Sequence, residues 1–438
     1  MQRSKRLTAV ALSATLALAL AGCGTAETSA GSESWSIPDV DPVAEISVIG
    51  HQDPATSGLQ VVLDAFAEDH PDITVNYEYV PFDQMNAILE ARISSKEGNP
   101  DVYWADTPRI AALTARGYTE DITEQFSAYE DIWDSATYIG SSADGRLQGV
   151  PIANSTQLLY FNKDSLDSAG LEYPSADPAE RITWEQVQVG AASAVDSGAT
   201  NGLVFGQVDR YYQLQALPMS LGGSAGAVGD SNVTADVTSE AWVDSMEWYG
   251  ETFESGISPR GVTPEENDAE FLAGKTAYFV QGPWLLPALE ESDLNWGVAL
   301  HPYFEAGEPV TATGSWALAL NPFSLEKEAA SIFMKWMSID NGGGYTSNFP
   351  TPELPANVEG KAAYYERPVF ASEEGVIAAE IIDFESSTTA ISRLSSVGYV
   401  EFEEIIGRAF ADIRNGSNAQ EALEAASSEL ESAWSVYK

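Results

Sequence analysis

Apolar positions along this chain alternate between two periods, and the alternation outlines its elements. Residues 43–49 form a short run rich in Val and Ile, which predicts a strand, and His51-Gln52-Asp53-Pro54 then reads as a loop. Leu59, Val62, Leu63 and Phe66 recur at the spacing of one helix face, and His70-Pro71-Asp72 ends that helix. Ile73, Val75, Tyr77 and Tyr79 alternate with polar residues, as a strand with one buried face does. A second helix is predicted over about 83–97, closed by Gly98-Asn99-Pro100. A short strand over 101–105 and a helix over 110–116 follow, with Gly117 at its C-terminal end. Strand–helix–strand–helix order predicts an α/β lobe built on a largely parallel sheet.

The middle of the chain is more helical. Thr183-Trp184-Glu185-Gln186 fits a capping box, in which a Thr side chain and a Gln side chain satisfy the first free backbone amides of a helix. Trp242, Met246, Tyr249 and Phe253 lie on one helical stripe, and such a stripe predicts core packing. Residues 276–280 read as a strand that runs into Gln281-Gly282-Pro283-Trp284, and 316–320 as another apolar strand. Ala329, Ile332, Phe333 and Trp336 share a helix face, and Gly342-Gly343-Gly344 reads as a helix exit. Two helices, at about 399–415 and 418–435, close the chain around Asn415-Gly416-Ser417. No internal repeat is visible.

The N-terminus changes the picture. Arg3, Lys5 and Arg6 precede a mostly apolar run over 7–20, too short to span a bilayer and quickly ended. It closes on Leu20-Ala21-Gly22-Cys23, which resembles a bacterial lipobox: cleavage before Cys23 leaves that thiol to carry lipid. We therefore expect a signal peptide over 1–22, with lipidated Cys23 and a flexible tether over 23–42, rich in Ser, Gly, Ala, Thr and acids. Cys23 is the single Cys of the chain, so no internal disulfide is available and the core must hold by packing. About 400 remaining residues suffice for that and suggest two lobes.

Charge narrows the partners. The chain carries 66 acidic against 21 basic residues, a net charge of −45, and the leader holds three of the basic ones and no acid. Nucleic acid is excluded as a partner by such a field, and anionic solutes are disfavoured. The acids are scattered, as in a solvated surface suited to high salt.

Several segments, taken in order, resemble family-1 extracellular solute-binding proteins, the sugar-binding partners of ABC importers. They are residues 66–75 with Pro71 inside; Gly149-Val150-Pro151 followed by Leu159-Tyr160-Phe161-Asn162-Lys163-Asp164; and Ala169-Gly170-Leu171 with Thr183-Trp184. Further on come Phe271-Leu272-Ala273-Gly274-Lys275 with Gly282-Pro283-Trp284; Gly314-Ser315-Trp316; Glu328-Ala329-Ala330 and the helix after it; and residues 416–423. The likeness spans about 43–438 and is greatest to the maltose/trehalose-binding subgroup. It implies a two-lobed, periplasmic-binding-protein-like α/β fold with a ligand cleft between the lobes and several crossover segments. The lobes implied are 43–152 plus 319–372 and 153–318 plus 373–438, with crossings near 152, 318 and 373.

The resemblance also implies a site. Trp284 and Trp316 match positions that contact sugar in the subgroup, and flat aromatic rings suit the apolar C–H faces of a sugar. Tyr211 and Tyr212 are adjacent, so only one is expected to face the cleft. Asp106, after Trp104-Ala105 beyond a strand end, resembles the acid that grips a sugar hydroxyl. Asn154 stands where the subgroup commonly has Asp, and Ser315 replaces a Gly. Arg393, in Ser392-Arg393-Leu394 where the subgroup has Arg-Pro, either braces a hydroxyl or pairs with an acid. Gln52 is a further candidate and His51 a weaker one. The expected protein is a monomeric, non-enzymatic lipoprotein on the outer face of the cytoplasmic membrane. It would capture a small oligosaccharide for permease subunits, with the ATPase a separate chain.

Other chemistries fit poorly. Gly222-Gly223-Ser224-Ala225-Gly226 satisfies the G-x-S-x-G pattern, but Pro218 precedes it and only His301 lies downstream. The three His are far apart and Cys23 is alone, so no transition-metal site is expected, although the acids leave a structural Ca²⁺ open. No cofactor is expected. Gly342-Gly343-Gly344 lacks the Lys-Ser/Thr of a phosphate loop. Polyols, glycosylated solutes and peptides remain as ligand classes, and a glycosidase needs only two well-placed carboxylates.

Overall fold

The computed structural model describes residues 35–350 and 353–438. The leader, Cys23 and most of the expected tether lie outside the described residues. Within the expected tether, Asp41 meets His70 Nδ1 at 2.8 Å, so this stretch is fastened to the end of helix Leu59–Asp69.

Two sheets carry the fold. The large sheet has six strands in the order Leu354–Pro355, Val150–Ser155, Gly314–Leu320, Val102–Asp106, Ala44–Gly50, Ile73–Tyr79. The small sheet has four, in the order Trp296–Ala299, Leu158–Asn162, Thr276–Gln281, Asn201–Phe205. The large sheet is mixed, contrary to the expectation of a largely parallel one. Ala44–Gly50 runs parallel to both neighbours, but Gly314–Leu320 runs antiparallel to Val102–Asp106 and to Val150–Ser155. The physical reason is that Gly314–Leu320 re-enters from the other lobe and so arrives from the opposite end.

The crossings differ slightly from those expected. Val150–Ser155 stays in the large sheet to residue 155, and the small sheet begins at Leu158. The return strand is already in the large sheet at Gly314. The last passage comes soon after Leu354–Pro355, because Tyr364 and Phe370 already pack in the cluster on the small sheet with Ile381 and Ile382.

Strand alternation splits the small sheet between two cores. Leu159 and Phe161 face a large cluster with Trp184, Trp242, Tyr249, Phe402 and Trp434, while Leu158 and Tyr160 face a smaller one with Phe271 and Phe279. The predicted helix faces are buried as expected. Phe66 meets Phe333 and Trp336 edge-on at 5.0 and 5.4 Å, and Trp242, Met246, Tyr249 and Phe253 line the inner side of helix Glu240–Glu254. Thr183 and Gln186 form the capping box of helix Trp184–Asp196. Among the described residues, no helix is long and apolar enough to cross a membrane.

Candidate functional site

The cleft-facing ends of both sheets point at one cavity of about 750 Å³. From the large sheet, Gly50 leads into His51 and Gln52, Asp106 ends its strand, and Trp316 sits opposite Asp106 on the return strand. Register shifts between Trp316 and Ala317, because Ile152 is an extra residue in the facing strand between Pro151 and Ala153. A bulge of this kind re-aims side chains near a strand end. From the small sheet, Gln281 runs into Gly282-Pro283-Trp284, and Phe205 leads to Gln207, Arg210 and Tyr212.

Two glycines make room for aromatic rings. A Cβ on Gly282 would lie 2.0 Å from the Trp284 ring, so the ring lies flat against this backbone only because no side chain is there. A Cβ on Gly314 would lie 2.9 Å from the Tyr212 ring. Tyr212 and Trp284 are tilted 33° apart with centroids 6.3 Å apart. Trp316 is half-buried and backed by His51, stacked at 3.7 Å and 9°. Burial holds the His51 ring well down, at about 3, against the attraction of Asp106, so it backs Trp316 as a neutral imidazole.

The floor is ionic. Arg393 forks onto Asp106, with Nη1 2.7 Å from Oδ2 and Nη2 on Oδ1, and its guanidinium lies over the Tyr212 ring at 5.2 Å. Burial opposes the Arg393 charge, but Asp106 overrides it and keeps the guanidinium firmly protonated. Arg109 donates to Glu403 from Nη2 at 2.6 Å, and Arg116 to Glu401 at 2.7 Å, so three ion pairs bridge the lobes on this side. Tyr212 Oη accepts from Gln157 Nε2 at 2.6 Å and lies 2.9 Å from Ser155 Oγ. Gln52 Nε2 donates to Tyr345 Oη at 2.7 Å, and Tyr345 donates on to Glu353 Oε2 at 2.6 Å. Burial raises the Glu353 carboxyl to about 7 and that of Asp268 to about 6.

Of the residues expected from the sequence, Gln52, Asp106, Tyr212, Trp284, Trp316 and Arg393 line this cavity, together with His51. Four others do not. Trp104 lies two residues back along the strand from Asp106, roughly 7 Å deeper, where it is buried edge-on to His51 and Tyr345. Tyr211 is turned about 100° from Tyr212 by helical geometry and packs on Phe402 at 4.8 Å, its hydroxyl donating to the Ala225 carbonyl. Ser315 alternates with Trp316 to the other side of its strand and pairs with the Thr107 hydroxyl. Asn154 accepts from the Ser155 amide at 2.8 Å, and Ser155 lines the cavity in its place.

Asp53, Phe82, Arg210, Glu265, Asp268, Glu353 and Glu403 also line the cavity, and no motif in the sequence points to them. Glu265 follows the Thr263 capping box and reads as an ordinary first-turn acid, and Asp268, one turn on, reads as an ordinary surface acid of the same helix. Arg210 was within reach, one residue before the paired tyrosines. Glu353 carries no local signal at all. Elsewhere, Ser224 of the G-x-S-x-G stretch accepts from the Gly226 amide in a loop, and His301 is buried against Trp184, so nothing aligns them as nucleophile and base. A second depression of about 490 Å³, lined by Asp164, Ser197, Lys275 and Asn295 among others, gathers no aromatic side chain.

The described residues thus form a two-lobed α/β molecule whose cleft is lined by aromatic and charged side chains. The comparisons agree. The family model of bacterial extracellular solute-binding proteins matches residues 51–338, and the chain belongs to that family. It is 26% identical over 359 residues to the maltodextrin-binding protein MdxE of Bacillus subtilis (strain 168), covering 78% of each chain. It is 22% identical over 368 residues to the galactooligosaccharide-binding protein of the same organism, covering 81% of this chain and 82% of the relative. Among solved structures, the GacH receptor of Streptomyces glaucescens GLA.O, studied unliganded and with acarbose, superposes with a TM-score of 0.77 at 22% identity. That match covers 91% of this chain and all of the receptor, and it shows the shared two-lobed fold.

Proposed function

We propose that this protein is the solute-capturing lipoprotein of an ABC importer, with a small oligosaccharide of two to four units, of α-glucoside type, as its ligand. The observation that carries this reading is the cleft itself. Three aromatic rings, Trp284, Trp316 and Tyr212, line a cavity of about 750 Å³ beside Asp106 and Arg393. Rings take the C–H faces of a sugar, and planar charged groups take its hydroxyls in pairs. Relatives named for maltodextrin and galactooligosaccharide binding support the saccharide class. The lipobox ending in Cys23 supports anchoring by lipid on the outer face of the membrane. The ligand passes from there to permease subunits served by a separate ATPase, and the protein acts as a monomer.

One observation favours a second reading. A carboxyl held near 7, as Glu353 is, is also what the general acid of a glycosidase needs. Both readings meet the same test: melting of the protein with mono- to tetrasaccharides, polyols and short peptides. A ligand at a hundred times its dissociation constant adds about 2.7 kcal/mol of stability, a readily measured shift. One saccharide class should raise the melting temperature, and Trp284→Ala and Trp316→Ala should each weaken its binding by about 10- to 100-fold. Response to polyols or peptides alone would overturn the saccharide, and cleavage of the sugar on long incubation would make the protein an enzyme.

A further inference from the structure

The charged groups that line the cleft differ in their partners. Asp106 and Glu403, on the floor, are matched by Arg393 and Arg109. Four further carboxylates line the same cavity: Asp53 beside Gln52, Glu353, and Glu265 with Asp268 on helix Pro264–Leu272. None of these four forms an ion pair among the described residues. Each bond they do make is accepted: Asp53 Oδ1 from the Ala55 amide, Asp268 Oδ1 from Gln281 Nε2, Glu353 Oε2 from Tyr345.

Gln52 supplies an independent sign. It is nine-tenths buried, lines the cavity, and its Oε1 has no donor. When Glu353 is ionised, the single proton of Tyr345 goes to its carboxylate, and the Tyr345 oxygen then accepts from the Gln52 amide nitrogen. The Gln52 oxygen is then the atom left over, one more acceptor in addition to the four carboxylates of the lining.

We propose that this stretch of the cleft is an acceptor pole that selects a saccharide bearing a protonated amine. The proposal rests on the saccharide reading above and narrows it. Neutral hydroxyls can also donate here, but each brings its own acceptor oxygen, whereas an ammonium brings only donors and a charge. Burial already makes ionised Asp268 and Glu353 costly, and a cation beside them offsets that cost. Asp268 faces Gln281 and Glu265; Glu353 faces Tyr345 and the charge of Arg367. A bare metal ion is a poor fit, since among the described residues no three Asp, Glu, His or Cys side chains gather into a cage. Carboxylates that line the cavity without gathering into a cage suit an organic cation instead.

The test is calorimetric titration of the full chain with matched trisaccharides in a glucosyl and a galactosyl series. In each series one sugar is neutral, one carries an amine at the non-reducing end, and one carries it at the reducing end. One aminated sugar should bind about tenfold or more tightly than its neutral parent, and Asp268→Asn with Glu353→Gln should erase that difference. Neutral and aminated sugars binding alike would overturn the acceptor pole and leave the saccharide reading standing. Binding of none of the six would overturn both.

Discussion

At the residue scale, the floor of the cleft turns on a pair that lies 287 positions apart in sequence. Asp106 and Arg393 were each legible as polar groups in a sugar-binding pattern, but their mutual pairing was not, because nothing local to either encodes the other. Both side chains are almost fully buried, so removing one strands a charge. Arg393→Met should destabilise the protein by about 3–5 kcal/mol, and Asp106→Leu added to it should restore most of that loss, as measured by denaturant melts. Glu353 gives a prediction of opposite sign to the usual carboxylate. Its carboxyl is raised from 4.5 to about 7, so the folded protein holds this proton longer than the unfolded one does. Stability contributed by Glu353 therefore falls as pH rises through that window. Glu353→Gln, which keeps an acceptor for Tyr345, should raise the melting temperature at pH 8 and leave it nearly unchanged at pH 4.

At the element scale, helix faces were the most legible feature. The stripe Trp242, Met246, Tyr249 and Phe253 needed only a period of 3.6, and that period is local. The strand direction in the large sheet was not legible, because Gly314–Leu320 gains its neighbours only after a long excursion through the other lobe. Nor was the fastening of helix Glu373–Thr388. There Glu385 is buried and accepts from Arg181, from the His301 amide at 2.8 Å and from Thr311 Oγ1 at 2.7 Å. This lock lies outside the ligand cavity. Arg181→Ala should therefore cost about 3–5 kcal/mol in a denaturant melt while saccharide affinity measured below the transition stays within about twofold.

At the scale of the whole molecule, 66 acids against 21 bases set the solution behaviour. Mutual repulsion across such a surface opposes compactness, and salt shortens its reach from about 30 Å at 0.01 M to about 3 Å at 1 M. The melting temperature should rise by several degrees between those two salt concentrations, and a flat response would show that the acids are already balanced locally. The class of fold, the buried helix stripes and the cleft aromatics Trp284 and Trp316 are legible in the chain alone, because periodicity, turn chemistry and motif order are short-range properties. The choice of Tyr212 over Tyr211, and of the polar groups that share the cleft, came with the packed fold. That fold set Trp104 and Tyr211 in the core, joined Arg393 to Asp106, and brought Asp53, Glu265, Asp268 and Glu353 to one cavity. Those placements depend on where distant segments pack, and packing is fixed by the sum of many contacts across the lobes and by no stretch of sequence alone.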